Sequence, residues 1–153
     1  MLREFLLESI MQPDPEVLAP NAAVKAVRVP DSKRMNTLPR YFGRQLMTGE
    51  ALVYQSLQFV CETYSGGLWD FFELSNGGFY MAPRLEEPLR IQCDGNGFDG
   101  DMSCDAAGIV ACLMAFNALA WQTREAHFGE LFYHLRDFAA QHVEAASIFA
   151  AID

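Results

Sequence analysis

The sequence predicts an α+β fold: a single compact domain in which an antiparallel sheet, built from a meander of hairpins, packs with about four helices. Three observations predict it. Two aromatic-rich runs, LWDFFEL (68–74) and GFYMAP (78–83), are joined by Ser75-Asn76-Gly77, and a further strand-like run, LRIQCD (89–94), turns at Asn96-Gly97 towards Phe98–Met102. Aromatic and alternating runs joined by Asn-Gly are the sequence form of a β-hairpin. Helical periodicity precedes and follows these runs, the arrangement of an α+β domain. Finally, 153 residues with 51% hydrophobic side chains suffice for one domain with its own core.

Along the chain, Leu2, Phe5, Leu6 and Ile10 share a helical face before Pro13, and Pro13, Pro15 and Pro20 mark a linker. This divides the chain into a leader over 1–22, with a short amphipathic helix, and a domain over 23–153. Val24, Val27 and Val29 suggest a strand ended by Pro30, and the charged stretch that follows reads as a solvated, partly irregular connection. Thr48 is placed to cap a helix running to about Tyr64, with Val53, Leu57, Val60 and Tyr64 on its core face. Ser103 is placed to cap the next, which is apolar nearly all round. Its run from Ala106 to Trp121 falls short of the ~20 residues a bilayer requires, so it is expected at the centre of the fold rather than in a membrane. Phe128, Leu131, Phe132, Leu135 and Phe138 define an amphipathic helix from Glu125 to about His142, and a last turn or two covers 144–151.

Charge is unevenly distributed. The formal net charge is −9, from 20 acidic and 11 basic residues. Six of the basic residues (Lys25, Arg28, Lys33, Arg34, Arg40 and Arg44) fall between 25 and 44 with Asp31 as the only acid, so that segment carries +5 and the remainder −14. A net acidic protein repels phosphate, which disfavours tight DNA binding; a weak DNA-binding module using 25–44 is the alternative this segment offers. A nucleic-acid mimic would need carboxylates repeated along a surface, but the helical runs 49–64 and 104–122 contain only Glu50 and Glu62, and Asp105. The acids concentrate instead at Asp94, Asp99, Asp101 and Asp105.

Motifs for catalysis are weak. Gly95 to Gly100 spells GxGxxG, but aspartates flank it and no βαβ unit surrounds it. A calcium loop starting at Asp94 or Asp99 lacks required ligands. His127, Glu130 and His134 share a helical face without the HExxH spacing, and no GxSxG elbow occurs. Cys61, Cys93, Cys104 and Cys112 form no CxxC pair; Cys61 and Cys112 read as small hydrophobes inside helices. No catalytic, cofactor-binding or metal-ligating residue is therefore assigned; a hydrolytic role for His134 is the cheapest to screen. The block Tyr64 to Pro83 holds six aromatics and four glycines, either as an exposed recognition surface or, more simply, as a sheet covered on both faces by helices.

The blocks NTLPRYFG (36–43), GEALVY (49–54), YSGGLWDFFELSNGGFYMAP (64–83), NGF (96–98), SCDAAGIVACL (103–113) and YHLRDFA (133–139), in this order, resemble the antirestriction proteins of the ArdB/KlcA type carried by mobile elements and plasmids. The resemblance runs from about residue 24 to the C-terminus. It implies a cytoplasmic, non-enzymatic protein with a compact α/β domain that relieves type I restriction–modification of unmodified incoming DNA. It brings no catalytic residue or cofactor. The partner it implies is the type I restriction–modification machinery or an associated protein. Arg34, Arg40, Arg44, Glu50, Trp69, Asn76 and Arg136 are the candidate partner-binding residues, with exposed parts of 25–44 and the 64–83 hairpin as the expected contact surface.

Overall fold

The computed structural model describes residues 22–153. The helix expected over 2–11 and nearly all of the 12–22 linker lie outside the described residues. The described chain runs β1 (Ala26–Arg28), α1 (Arg34–Phe42), α2 (Leu46–Val60), β2 (Trp69–Leu74), β3 (Phe79–Pro83), β4 (Leu89–Cys93), β5 (Phe98–Met102), α3 (Cys104–Thr123), α4 (Ala126–Ala140) and α5 (Ala145–Ile152), with 3-10 turns before α1 and between α1 and α2. The α+β expectation holds, but the strands form two antiparallel sheets, β1-β2-β3 and β4-β5, rather than one meander.

Both hairpins use the same turn chemistry. Asn76 Oδ1 accepts the Gly78 N–H at 3.1 Å, and Asn96 Oδ1 accepts the Phe98 N–H at 3.0 Å. Gly77 and Gly97 follow with positive φ, the conformation glycine adopts without penalty. Each asparagine then donates its amide to a helix carbonyl, Asn76 to His134 in α4 (2.9 Å) and Asn96 to Ala151 in α5 (2.7 Å). The hairpins are thus pinned at their tips to the C-terminal helices.

The aromatic block is core. In the β2–β3 register Phe71 faces Met81 and Phe72 faces Tyr80. On one face Tyr41 of α1 stacks on Phe79 (4.4 Å between centroids) and Tyr54 of α2 meets Trp69 edge-on. On the other, Tyr80 stacks on Phe138 of α4. Of the six aromatics only Phe72 is less than fully buried, and it packs against the core. The recognition surface expected on the 64–83 hairpin is corrected accordingly: helices cover both of its faces.

Helix α3 occupies the centre. Ser103 caps it, accepting the Ala106 N–H on Oγ, and residues around its whole circumference are buried. Although α3 is long and apolar enough to cross a membrane, it lies packed among α2, α4 and β3. It crosses the edge of β3 at very short range: a Cβ on Gly108 would lie 2.4 Å from the Met81 carbonyl oxygen. One turn on, the Cys112 thiol accepts the Met81 N–H at 3.4 Å and lies 3.5 Å from the Met81 oxygen, serving the backbone groups of a strand that has no neighbour on that side. Burial pushes this thiol up to about 12. Cys112, expected to act as a small hydrophobe, therefore also does the hydrogen bonding of a missing strand.

Two local expectations change. The charged stretch after Pro30 is mostly helix rather than irregular connection: Thr37, Leu38, Tyr41 and Phe42 of α1 are buried, with Pro39 tolerated on the exposed side. And α2 starts at Leu46 with Gln45 at its N-cap, so Thr48 lies within the first turn and caps nothing.

Candidate protein interface

The seven candidate residues fall into four places. Arg34, Glu50 and Trp69 surround Tyr54: the Tyr54 hydroxyl donates to Glu50 (2.8 Å), its ring packs on Trp69, and the Arg34 guanidinium lies 4.3 Å above the Phe71 ring. Burial, then the Glu50 carboxylate, raise the Tyr54 hydroxyl well above its ordinary range. Trp69 is 2% exposed and donates its N–H to Tyr64 at 2.7 Å. Asn76 is spent on the turn and on His134. Trp69 is thus buried, and the Asn76 side-chain amide is engaged within the fold.

Arg40 lies on α1 and Arg44 in the 3-10 turn that follows it. Arg40 donates to Glu73 at 3.0 Å, and the Tyr41 hydroxyl donates to the same carboxylate. Burial and that carboxylate push Tyr41 up to about 12. Arg44 donates to Glu125 at the start of α4, at 2.9 Å through Nε. Arg40 and Arg44 nevertheless remain 65% and 80% exposed. Arg136 stands apart on α4, over Phe149 (5.7 Å), lining a cavity of about 260 Å³ with Met114, Asn117 and Phe132.

Folding changes the meaning of the +5 segment. Arg28 pairs with Asp31 and Asp70, Arg40 with Glu73, and Arg44 with Glu125. Acids distant in sequence are brought onto the basic residues one at a time, which breaks up the continuous positive surface that DNA binding by 25–44 would use. The acids are dispersed likewise: Asp99 is held by a two-pronged Arg90 contact, and Asp105 accepts from Tyr80 (2.7 Å) and lies 2.8 Å from His142 Nε2.

The histidines are engaged in packing. His127 Nε2 lies 2.6 Å from the Tyr41 carbonyl, while His134 sits beneath the β2–β3 turn, its Cβ close under Gly78. The helical face they share sends them to different neighbours. Burial raises the Cys93 and Cys104 thiols above their ordinary value.

One group escaped the sequence reading. At the end of α3, Trp121 is 67% exposed with the Arg124 guanidinium 5.5 Å from its ring centre. Arg124 has φ 59°, the only positive φ on a non-glycine residue among the described residues. The Thr123 hydroxyl donates to the Leu119 carbonyl (2.7 Å) and accepts the Glu125 N–H (3.1 Å), setting the tight corner into α4. The available signal was an arginine directly after a helix end, where glycine is the usual residue.

Residues 62–153 match the family described as Antirestriction protein. The chain is 50% identical over 135 residues to the antirestriction protein KlcA of Escherichia coli, spanning 85% of this chain and 95% of that protein. This chain belongs to the ArdB/KlcA family of antirestriction proteins. It is also 38% identical to an uncharacterised E. coli protein, YafX, over 88% of this chain and 91% of that one. A solved structure from work on the KlcA and ArdB proteins superposes with a TM-score of 0.82 at 46% identity, covering 89% of this chain and 99% of that one. In this family member the blocks that carried the family resemblance make internal contacts at Trp69, Asn76, Gly108 and Cys112.

Proposed function

We propose that this protein relieves type I restriction of unmodified plasmid or phage DNA in the cytoplasm, by noncatalytic contact with a protein of the restriction machinery or one that serves it. The domain responsible runs from residue 23, with 1–22 as a variable leader. The observation that carries this reading is the 46% identity and TM-score of 0.82 to a KlcA/ArdB structure, since those proteins are described as showing antirestriction activity against Type I DNA restriction systems in vivo but not in vitro. Activity that needs the cell favours a target or helper that the cell supplies. Protein contact rather than DNA mimicry is supported by the carboxylates: Asp70, Glu73, Asp99 and Glu125 each hold an arginine instead of standing in a phosphate-like row. A noncatalytic role is supported by His127, His142 and Cys112, which are engaged by the Tyr41 carbonyl, Asp105 and the Met81 backbone.

The test is the plating of unmodified phage on cells with an active type I system. Expression of this protein should raise plating efficiency, and should leave it unchanged in cells without the system. No gain in the restricting host would end the proposal.

A further inference from the structure

Resting on the protein-directed reading above, we infer that the corner between α3 and α4, centred on Trp121 and Arg124, is the surface that grips the partner, and that the partner presents an acidic segment of polypeptide. Three independent observations converge there. An indole left 67% exposed is a large apolar group facing water at the end of the most buried helix of the fold. Tryptophan and arginine are the residue types that most often dominate binding energy at protein interfaces.

The backbone supplies the second observation. Position 124 adopts the left-handed conformation that glycine takes freely and that a side chain resists. A cation near the C-terminus of α3 suits the helix dipole, but any basic residue in the last turn would satisfy that. Here the chain accepts backbone strain to hold arginine over the Trp121 ring, and strain of this kind gathers at binding sites. The corner is also fixed in place, tied to α1 by the His127–Tyr41 contact and to the turn after it by Arg44–Glu125, and braced internally by Thr123.

The third observation names the partner's chemistry. Two adjoining concavities of about 480 and 320 Å³ share Glu125 and Ala126 as walls. Arg40, Arg44 and Arg124 line them; Arg40 and Arg44 are held by Glu73 and Glu125, which leaves Arg124, of the three, as the cation free to meet a carboxylate, on a chain whose net charge is −9. Among the described residues Arg124 pairs with no carboxylate. Local positive charge beside an exposed aromatic ring complements a carboxylate-bearing segment with an apolar side chain for Trp121.

The test uses phage plating in a restricting host, with the full-length protein at matched abundance and each variant's melting temperature measured after purification. Arg124→Gly removes the cation while relaxing the backbone, so its melting temperature should equal or exceed that of the wild type while protection falls about 10-fold. Arg124→Glu should fall further, since the sign of the charge matters, and Trp121→Ala should lose about 10-fold or more. Phe59→Ala and Val143→Ala, exposed elsewhere on the surface, should protect as the wild type does. Full protection by Arg124→Glu and Trp121→Ala would overturn the inference, and so would equal losses for Arg124→Gly and Arg124→Glu. Low-salt binding of a short DNA duplex that Arg124→Glu abolishes would assign the corner to nucleic acid instead. A wild-type dimer that Trp121→Ala splits in sedimentation would assign it to a second copy. Absence of protection by the wild type itself would instead remove the proposed function on which the corner rests.

Discussion

Two parts of α3 make opposite use of the same helix. Where it crosses β3, its side chains are as small as possible: Gly108 admits the strand backbone and Cys112 bonds to it. Three turns on, at the corner into α4, the helix carries Trp121 and ends on a strained Arg124, both turned to solvent. The seam is all packing and the corner is all surface. The difference teaches that the sequence blocks most typical of this family can be devoted to folding, while the residues suited to meeting a partner lie outside them.

The comparison is broken most severely at the seam. Gly108→Ala places a methyl group 2.4 Å from the Met81 oxygen and 2.6 Å from Ala82, contacts that only backbone movement can relieve. It should cost about 3 kcal/mol or more, read as a fall in the midpoint of urea unfolding. Asn76→Ala removes both the bond to the His134 carbonyl and the one inside the turn, and should cost about 2 kcal/mol by the same measurement. Its effect on protection should follow only from that lost stability.

A smaller effect sharpens the account of the paired charges. The hydrogen bond from Arg84, helped by Arg28, holds Asp70 below the ordinary carboxylate value of 3.8 against the opposing cost of its burial. A depressed folded-state value contributes stability above the unfolded value and loses it as pH falls through the folded one. Asp70→Asn should therefore lower the melting temperature at neutral pH, by the equivalent of about 1 kcal/mol, and the gap from the wild type should close as pH drops below 3.8. A gap that persisted in acid would deny the ion pairs their role. Smallest of all is Arg40–Glu73, an exposed pair: a double-mutant cycle should give about 0.5 kcal/mol or less, reduced further by salt.

Much of this architecture was readable beforehand because the hairpins announce themselves twice over. Asn76-Gly77 and Asn96-Gly97 fixed the turns, and the alternation of Leu89, Ile91 and Cys93 marked a strand with one buried face. The continuous apolarity of 104–123 marked a helix with no exposed stripe. Helix α1 escaped because Pro39 and a run of cations argue locally against a helix, whereas its formation depends on the tertiary burial of Tyr41 and Phe42 against Phe79. The candidate site was the least legible part. Linear charge counting gave 25–44 a net +5, but Asp70, Glu73 and Glu125 reach it only through strand pairing and helix packing. Trp121 looked like one more apolar residue of a buried helix, and only its position at the last turn puts it in water.

The central claim is that the internal contacts of the fold, the α3–β3 seam and the Asn76 turn, support function through stability alone while the corner supports it directly. Melting temperature and phage protection, measured together on Asn76→Ala and Trp121→Ala, test this most directly. The account predicts that Asn76→Ala loses several degrees and keeps protection wherever it remains folded, whereas Trp121→Ala keeps its melting temperature and loses protection. If Trp121→Ala protected in full, or lost protection only in proportion to lost stability, the corner would be ordinary surface and the claim would be contradicted.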